Sequence, residues 1–231
     1  MSSILLSRLR AHARPSVAAA QQRFFKEDVK PLGLYVPQVR AIVREFVREN
    51  PAAPAISSEM RALWSSGYLE ARMGAILLAQ FSSLSPLQKL SLARRFLKDP
   101  RLNWALCDAV SGFLLGPLAI ENRTFLTPIR ALINGNRWER RACVVALILP
   151  MRRGVVSVRQ VLALVRVHLY SNWDYSQKAC GWVLRECYKK DAGAAVRFMA
   201  GCRNMPRTAF SYACERMEKS EKLRLKKKVY G

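Results

Sequence analysis

The stretch Pro37–Asn50, PQVRAIVREFVREN, decides the fold class. Val39, Ile42, Val43, Phe46 and Val47 recur at intervals of three and four, while Arg40, Arg44, Glu45, Arg48 and Glu49 fall between them. A period of 3.6 residues gathers the apolar set on one face, so the spacing predicts an amphipathic helix. Working outward, the same stripe returns in EARMGAILLAQF (70–81), PLQKLSLARRFL (86–97), RRACVVALIL (140–149), VRQVLALVRVHL (158–169) and QKACGWVLRECY (177–188). No period-two segment competes with these. Breaks are expected at Pro15, Pro31 with Gly33, Pro51 with Pro54, Pro100, Pro117, Pro150 with Gly154, and Pro206, which leaves about a dozen short helices joined by tight turns. The fold class is therefore all-α.

Helix pairs that each take roughly 35 to 45 residues suggest a HEAT-like helical-repeat solenoid with a concave basic face. In such an array neighbours must stack, because no pair can bury its apolar face alone. The repeats share pattern rather than sequence, and no Gly-, Ser- or Pro-rich linker divides them. Residues 1–220 are expected to form one domain, and 221–231 a flexible basic C-terminal tail.

Half of the chain, 51%, is apolar, ample for a sizeable core. The longest uncharged apolar run, VSGFLLGPLAI at 110–120, is shorter than the about 18 residues that a membrane span needs, so no membrane is expected among the partners. The start, MSSILLSRLRAHARPSVAAAQQRFF, is basic and acid-poor like a transit peptide. Its apolar run is too short for a secretory signal, and it merges into helical sequence. The expected location is cytoplasmic, nucleoid-associated or nuclear, and organelle targeting is the lesser reading. Six cysteines (107, 143, 180, 187, 202, 214) show no C-x-x-C spacing, and His12 and His168 are far apart, so no metal site is expected and the thiols read as reduced core residues.

Charge is the strongest compositional signal. There are 39 Lys and Arg against 16 Asp and Glu, a formal net charge of +23. Between Glu139 and Asp174 lie Arg140, Arg141, Arg152, Arg153, Arg159 and Arg166 with no acid, and the C-terminus adds Lys222, Arg224, Lys226, Lys227 and Lys228. Such a field attracts phosphate backbones and releases their counterions, which makes nucleic acid the leading partner class; acidic protein and lipid remain the alternatives.

Against that background, Trp104 and Asp108 in NWALCDAVSGFLLGPL are unusual, because Asp108 is the one acid between Asp99 and Glu121. Four residues apart, the two share a helix face. A carboxylate beside an indole on an apolar helix is costly unless a cation meets it. The plain reading is a buried acid satisfied by an arginine, with Trp104 and Trp182 in the core. The functional reading is a site built for a positive ligand.

Four stretches in order resemble the AlkD-type DNA alkylation repair glycosylases, over about residues 16 to 215. RFFKEDVKPLGLYVPQVRAI is similar to the family's N-terminal segment; NWALCD supplies W-x-x-x-D as Trp104 and Asp108; NRWERRACVVALIL puts Arg141 at the family's arginine; YSQKACGWVLRECYKKD puts Trp182 and Arg185 at its tryptophan and arginine. The sequence departs at two places. Ala105 stands where a second aromatic usually follows the first tryptophan, and Phe24 stands where the family has tyrosine.

The resemblance implies a monomeric DNA glycosylase acting on duplex DNA that contains alkylated bases, with no cofactor and no base-flipping pocket. Asp108, Trp104 and Trp182 would be catalytic, and Arg141, Arg185, Phe24, Arg140 and Lys178 would bind the DNA. Ordinary glycoside hydrolysis needs two carboxylates, one of them to protonate a poor leaving group. One suffices when the leaving group is already cationic, as in a purine alkylated at N3 or N7. The alternative is a non-catalytic HEAT-like module that binds DNA or structured RNA.

Overall fold

The computed structural model describes residues 3–51 and 53–231. Among them the structure is all-α, and the sole β feature is an isolated bridge between Lys30 and Tyr68. The chain packs as two compact units, Met1–Phe96 and Leu97–Gly231, where the sequence suggested a single domain over 1–220.

The first unit holds α1 (Ile4–Ala11), α2 (Pro15–Gln22), α3 (Val36–Glu49), α4 (Ala53–Ser65), α5 (Leu69–Phe81) and α6 (Pro86–Leu97, whose last residue opens the second unit). The stripe that decided the fold class is realised in α3: Val39, Ile42, Val43 and Phe46 are buried, and Arg44, Glu45, Arg48 and Glu49 are not. That face packs on α5, whose residues 70–79 are all buried, as a helix apolar nearly all round must be. The segment with transit-peptide composition forms α1, with Leu5 and Leu9 fully buried against α3, α4 and α5.

Two buried carboxylates fix the connections of this unit. Glu59 accepts from Ser3 Oγ (2.5 Å) and from the amides of Ile4 (2.9 Å) and Leu5 (3.3 Å), satisfying orphan donors at the N-terminus of α1. Glu70 accepts from three consecutive amides, Leu32 (2.7 Å), Gly33 (2.9 Å) and Leu34 (3.0 Å). The cradle needs Gly33 at φ +86, where a Cβ would also meet the Arg14 carbonyl oxygen at 2.1 Å.

The second unit contains α7 (Trp104–Val110), α8 (Gly116–Glu121), α9 (Leu126–Arg130), α10 (Arg137–Val145), α11 (Ile148–Arg152), α12 (Val158–His168), α13 (Asp174–Lys190), α14 (Ala192–Ala200), α15 (Arg207–Ala213) and α16 (Lys219–Tyr230). They stack in sequence order, as expected of a helical-repeat fold. One row runs α7 on α10, α10 on α13 and α13 on α15; behind it α8 packs on α11, and α14 on α12 and α16. At the α13–α15 crossing a Cβ on Gly181 would come within 2.5 Å of both the Ala209 carbonyl oxygen and the Tyr212 Cβ, so glycine sets how closely these helices approach. The gain in packing outweighs the about 1 kcal/mol that glycine costs in a helix interior.

Two expectations fail here. Pro117 was read as a break, yet the helix runs on from Trp104 to Glu121 through a π turn at Ser111–Leu115, in which the Gly116 amide donates to the Ser111 carbonyl. A proline at 117 has no amide to give and would crowd the carbonyl of Phe113; the wider turn accommodates it without ending the helix. By length and composition this stretch could cross a membrane, and in the fold 56% of it is buried inside the protein. The second failure is the flexible tail. Residues 219–230 form α16, with Leu225 and Val229 buried.

Candidate functional site

The N-terminus of α7 is set by Asn103, whose side chain accepts the Leu106 amide at 3.0 Å, a strong N-cap. The helix then alternates deep and accessible positions: Leu106, Cys107, Ala109 and Val110 are buried, while Trp104, Ala105 and Asp108 stay partly accessible. Helical spacing puts Trp104 one turn before Asp108 on this open side.

Arg141 approaches from α10. A capping box at Asn136 and Glu139 starts that helix, fixing the register that points Arg141 inward while Arg140 stays exposed. The Arg141 guanidinium grips Asp108 with two parallel bonds, Nε to Oδ1 at 3.0 Å and Nη2 to Oδ2 at 2.8 Å. Its Nη1 donates to the backbone carbonyl of Tyr175, tying the pair to α13. Arg141 is 4% exposed, whereas the Asp108 side chain keeps 17% of its surface. The Asp108 side chain is therefore paired with a cation and not fully enclosed.

Burial pushes the Asp108 carboxyl up from its ordinary value, and the charge and hydrogen bonds of Arg141 oppose that push. Both oxygens accept from donors that carry no acceptor, so the pair is held as carboxylate and guanidinium. For Arg141, burial works against the cation, but Asp108 outweighs it and the guanidinium is raised. Nearby, the His168 ring nitrogen Nε2 meets Ser176 Oγ at 2.8 Å. Burial, then Arg140 and Arg141, lower its pKa.

On α13, Tyr175, Lys178, Trp182 and Arg185 form a partly accessible stripe at spacings of three and four, above a buried face of Ala179, Cys180, Val183 and Leu184. The stripe begins beside the Asp108–Arg141 pair, at Tyr175. Trp138, Trp173 and Tyr175 form a ring cluster there, with Trp138 and Trp173 edge to face at 4.7 Å and Trp173 and Tyr175 at 5.5 Å. Arg137 lies over Trp173 at 5.3 Å and Lys178 over Tyr175 at 5.5 Å.

The fold thus brings Trp104, Asp108 and Arg141 together and places Trp182, Lys178 and Arg185 along the adjoining stripe. The basic residues are placed differently from the expectation that they meet phosphate. Arg141 is enclosed and bonded to Asp108 and Tyr175. Arg185 is ion-paired with Glu215, Lys178 with Asp174 (2.8 Å), and the exposed Arg140 donates from Nε to the Gly135 carbonyl (2.9 Å). Phe24 belongs to the other unit, on the turn after α2, and is 75% exposed. Tyr175, Trp173 and Glu215 are neighbours that the sequence did not single out. No signal marks Tyr175, because it takes part through a carbonyl that every residue carries.

All six cysteines are buried and free, and burial pushes Cys143, Cys180 and Cys187 up to about 12, so they are inert thiols. Among the described residues no three His, Cys, Asp or Glu side chains gather as metal ligands would.

A family model described as DNA alkylation repair enzyme matches residues 5–217. In structure the chain is similar to a predicted DNA alkylation repair enzyme from Enterococcus faecalis, with a TM-score of 0.75 over 90% of this chain and 97% of that one at 20% identity; the likeness shows the fold. No curated protein matches in sequence.

Proposed function

Since the chain belongs to the DNA alkylation repair enzyme family, which supports a role in DNA repair, we propose that it is a monofunctional DNA glycosylase that removes cationic alkylpurines from duplex DNA. The observation that carries this reading is the single carboxylate Asp108, held by Arg141 and with its side chain not fully enclosed. A purine alkylated at N3 or N7 already bears the positive charge that an acid catalyst would otherwise supply. When its C1′–N bond breaks, the electron pair leaves with the base, which becomes neutral, and the sugar becomes an oxocarbenium ion. Asp108 stabilises that charge and orients the water that attacks C1′, accepting its proton as the abasic product forms.

Trp104 and Trp182 present π faces to the cationic base and sugar, an attraction of about 0.5 to 2 kcal/mol each. The sugar's share grows as charge develops there, so it lowers the barrier instead of only tightening binding. Arg141 is a positioning residue here: it fixes both oxygens of Asp108 and keeps the acid ionised. Arg185 reaches phosphate by exchanging Glu215 for it, and Lys178 and Arg140 add backbone contacts. Small alkyl groups such as those of 3-methyladenine and 7-methylguanine suit a partly open face, where no deep base pocket is required.

The test is direct. N-methylated duplex DNA is incubated with the protein and free 3-methyladenine and 7-methylguanine are measured, with Asp108→Asn and Trp182→Ala in parallel. Release by the parent and its collapse in Asp108→Asn support the reading. No release, with tight salt-sensitive binding, would assign the face to DNA binding without catalysis, the reading that Ala105 favours by removing one ring from the site.

A further inference from the structure

The family match stops at residue 217, and the helix beyond it, α16, is ordered and strongly basic. Its twelve residues, KSEKLRLKKKVY, hold six cations and one acid. Leu225 and Val229, four apart, are buried against the unit. The Tyr230 hydroxyl donates to the Met205 carbonyl (2.7 Å), its ring meets Phe210 edge to face at 5.4 Å, and the Asn204 amide donates to the Val229 carbonyl (3.0 Å). Glu221 is held by the Tyr188 hydroxyl at 2.6 Å. The rest of its circumference carries Lys219, Arg224, Lys226, Lys227 and Lys228, all exposed, with no ion pair formed by any of them among the described residues. A tail kept only for solubility has no need of these anchors.

We propose that α16 is a docking surface for the phosphate backbone of duplex DNA, separate from the site at Asp108 and additional to the family's part of the chain. Charge complementarity selects the partner: five unpaired cations along a helix about 18 Å long, one per about 3.6 Å, approach the about 3.4 Å per charge of a single DNA strand. Because the helix is anchored before it binds, little ordering entropy is lost on association. On its anchored side α16 meets α13 through Tyr188, which holds Glu221 and lies one turn beyond Arg185. The proposal rests on DNA as the partner and not on base excision.

The experiment compares the full chain with a variant carrying Lys219→Gln, Arg224→Gln, Lys226→Gln, Lys227→Gln and Lys228→Gln. Binding to undamaged duplex DNA is followed by fluorescence anisotropy across a KCl series. The slope of log K against log salt should fall by about two to four, roughly 0.9 per lost phosphate contact, while a variant with the four lysines changed to arginine keeps it. An unchanged slope in a folded Gln variant overturns the proposal. So does loss of binding to phosphatidylserine vesicles with DNA binding intact, which would assign the helix to lipid. Should the Gln variant unfold, lysine acetylation footprinting of the unaltered protein decides: protection of Lys226, Lys227 and Lys228 by DNA supports the proposal, and equal labelling with and without DNA overturns it. A protein that releases no base still passes or fails this test on binding alone.

Discussion

Asp108 and Glu70 are both carboxylates taken out of bulk water, and they are satisfied in opposite ways. Glu70 is 4% exposed and faces three backbone amides of one loop, so both its oxygens serve the chain's own geometry. Asp108 faces one side chain, Arg141, and its side chain stays partly accessible, one turn after the partly accessible Trp104. A carboxylate met by amides is locked, since amides cannot be withdrawn without unfolding the loop. One met by a guanidinium on one side can still serve a second cation on the other. The difference separates an acid that builds the fold from one available for chemistry.

The largest effect that would sharpen this contrast is on rate. Asp108→Asn should lower single-turnover base release by about 10²- to 10³-fold, the scale for removing a preorganised charge-stabilising group, with the helical circular dichroism unchanged. A rate within a few-fold of the parent would put Asp108 in the same class as Glu70.

The reverse substitution tests the other half. Glu70→Gln turns an amide group toward donors that need acceptors, and should cost about 3 kcal/mol in the denaturation free energy. Base release per folded molecule should stay as it was. Leu9→Ala, in the fully buried face of α1, should cost about 2 to 5 kcal/mol by urea denaturation, because that helix is core to the first unit. A loss of less than about 0.5 kcal/mol would show α1 to be peripheral.

A smaller effect is expected from the rings. Trp182→Ala should slow release by about two- to thirty-fold, the range that a cation–π contact of 0.5 to 2 kcal/mol allows. The loss should fall on the rate at saturating DNA more than on the binding constant; the opposite split would make Trp182 a binding residue only.

How far these features could be read in the sequence differs between the two regions. Period-3.6 stripes such as that of α3 place helices because burial of one face is a local pattern, and they gave the all-α class directly. W-x-x-x-D placed Trp104 and Asp108 on one helix side for the same reason. The partners could not be read. Arg141 meets Asp108 across 33 residues and Tyr175 enters through a backbone carbonyl, neither of which leaves a compositional mark. Arg185 was assigned to phosphate because its acid, Glu215, lies 30 residues away. The order of α16 is hidden by its lysines, since just two of its residues, Leu225 and Val229, are buried. Pro117 ends most helices, and the π turn that absorbs it depends on the packing of Gly116 against Ala146 and Leu149.

The smallest effect tests Asp108 itself through pH. Burial raises the Asp108 carboxyl and Arg141 opposes the rise, the net shift being upward. Activity needs the ionised form, so release should fall on acidification with an acid limb above the ordinary carboxylate range. The sign for stability is the reverse. A carboxyl raised in the fold binds its proton more tightly there than in the unfolded chain, so its contribution is least favourable above the folded value and improves as pH falls through that value toward the unfolded one. Arg141→Gln removes both influences that hold the carboxyl down, and the acid limb should move to still higher pH while the maximum rate also drops. His168, lowered by burial and by Arg140 and Arg141, is the nearby imidazole, so His168→Gln is the control that should leave the limb in place. A limb that follows His168, or that stays put when Arg141 is replaced, would mean that the ion pair does not set the reactivity of Asp108. It would then be another structural bond, like those that hold Glu70.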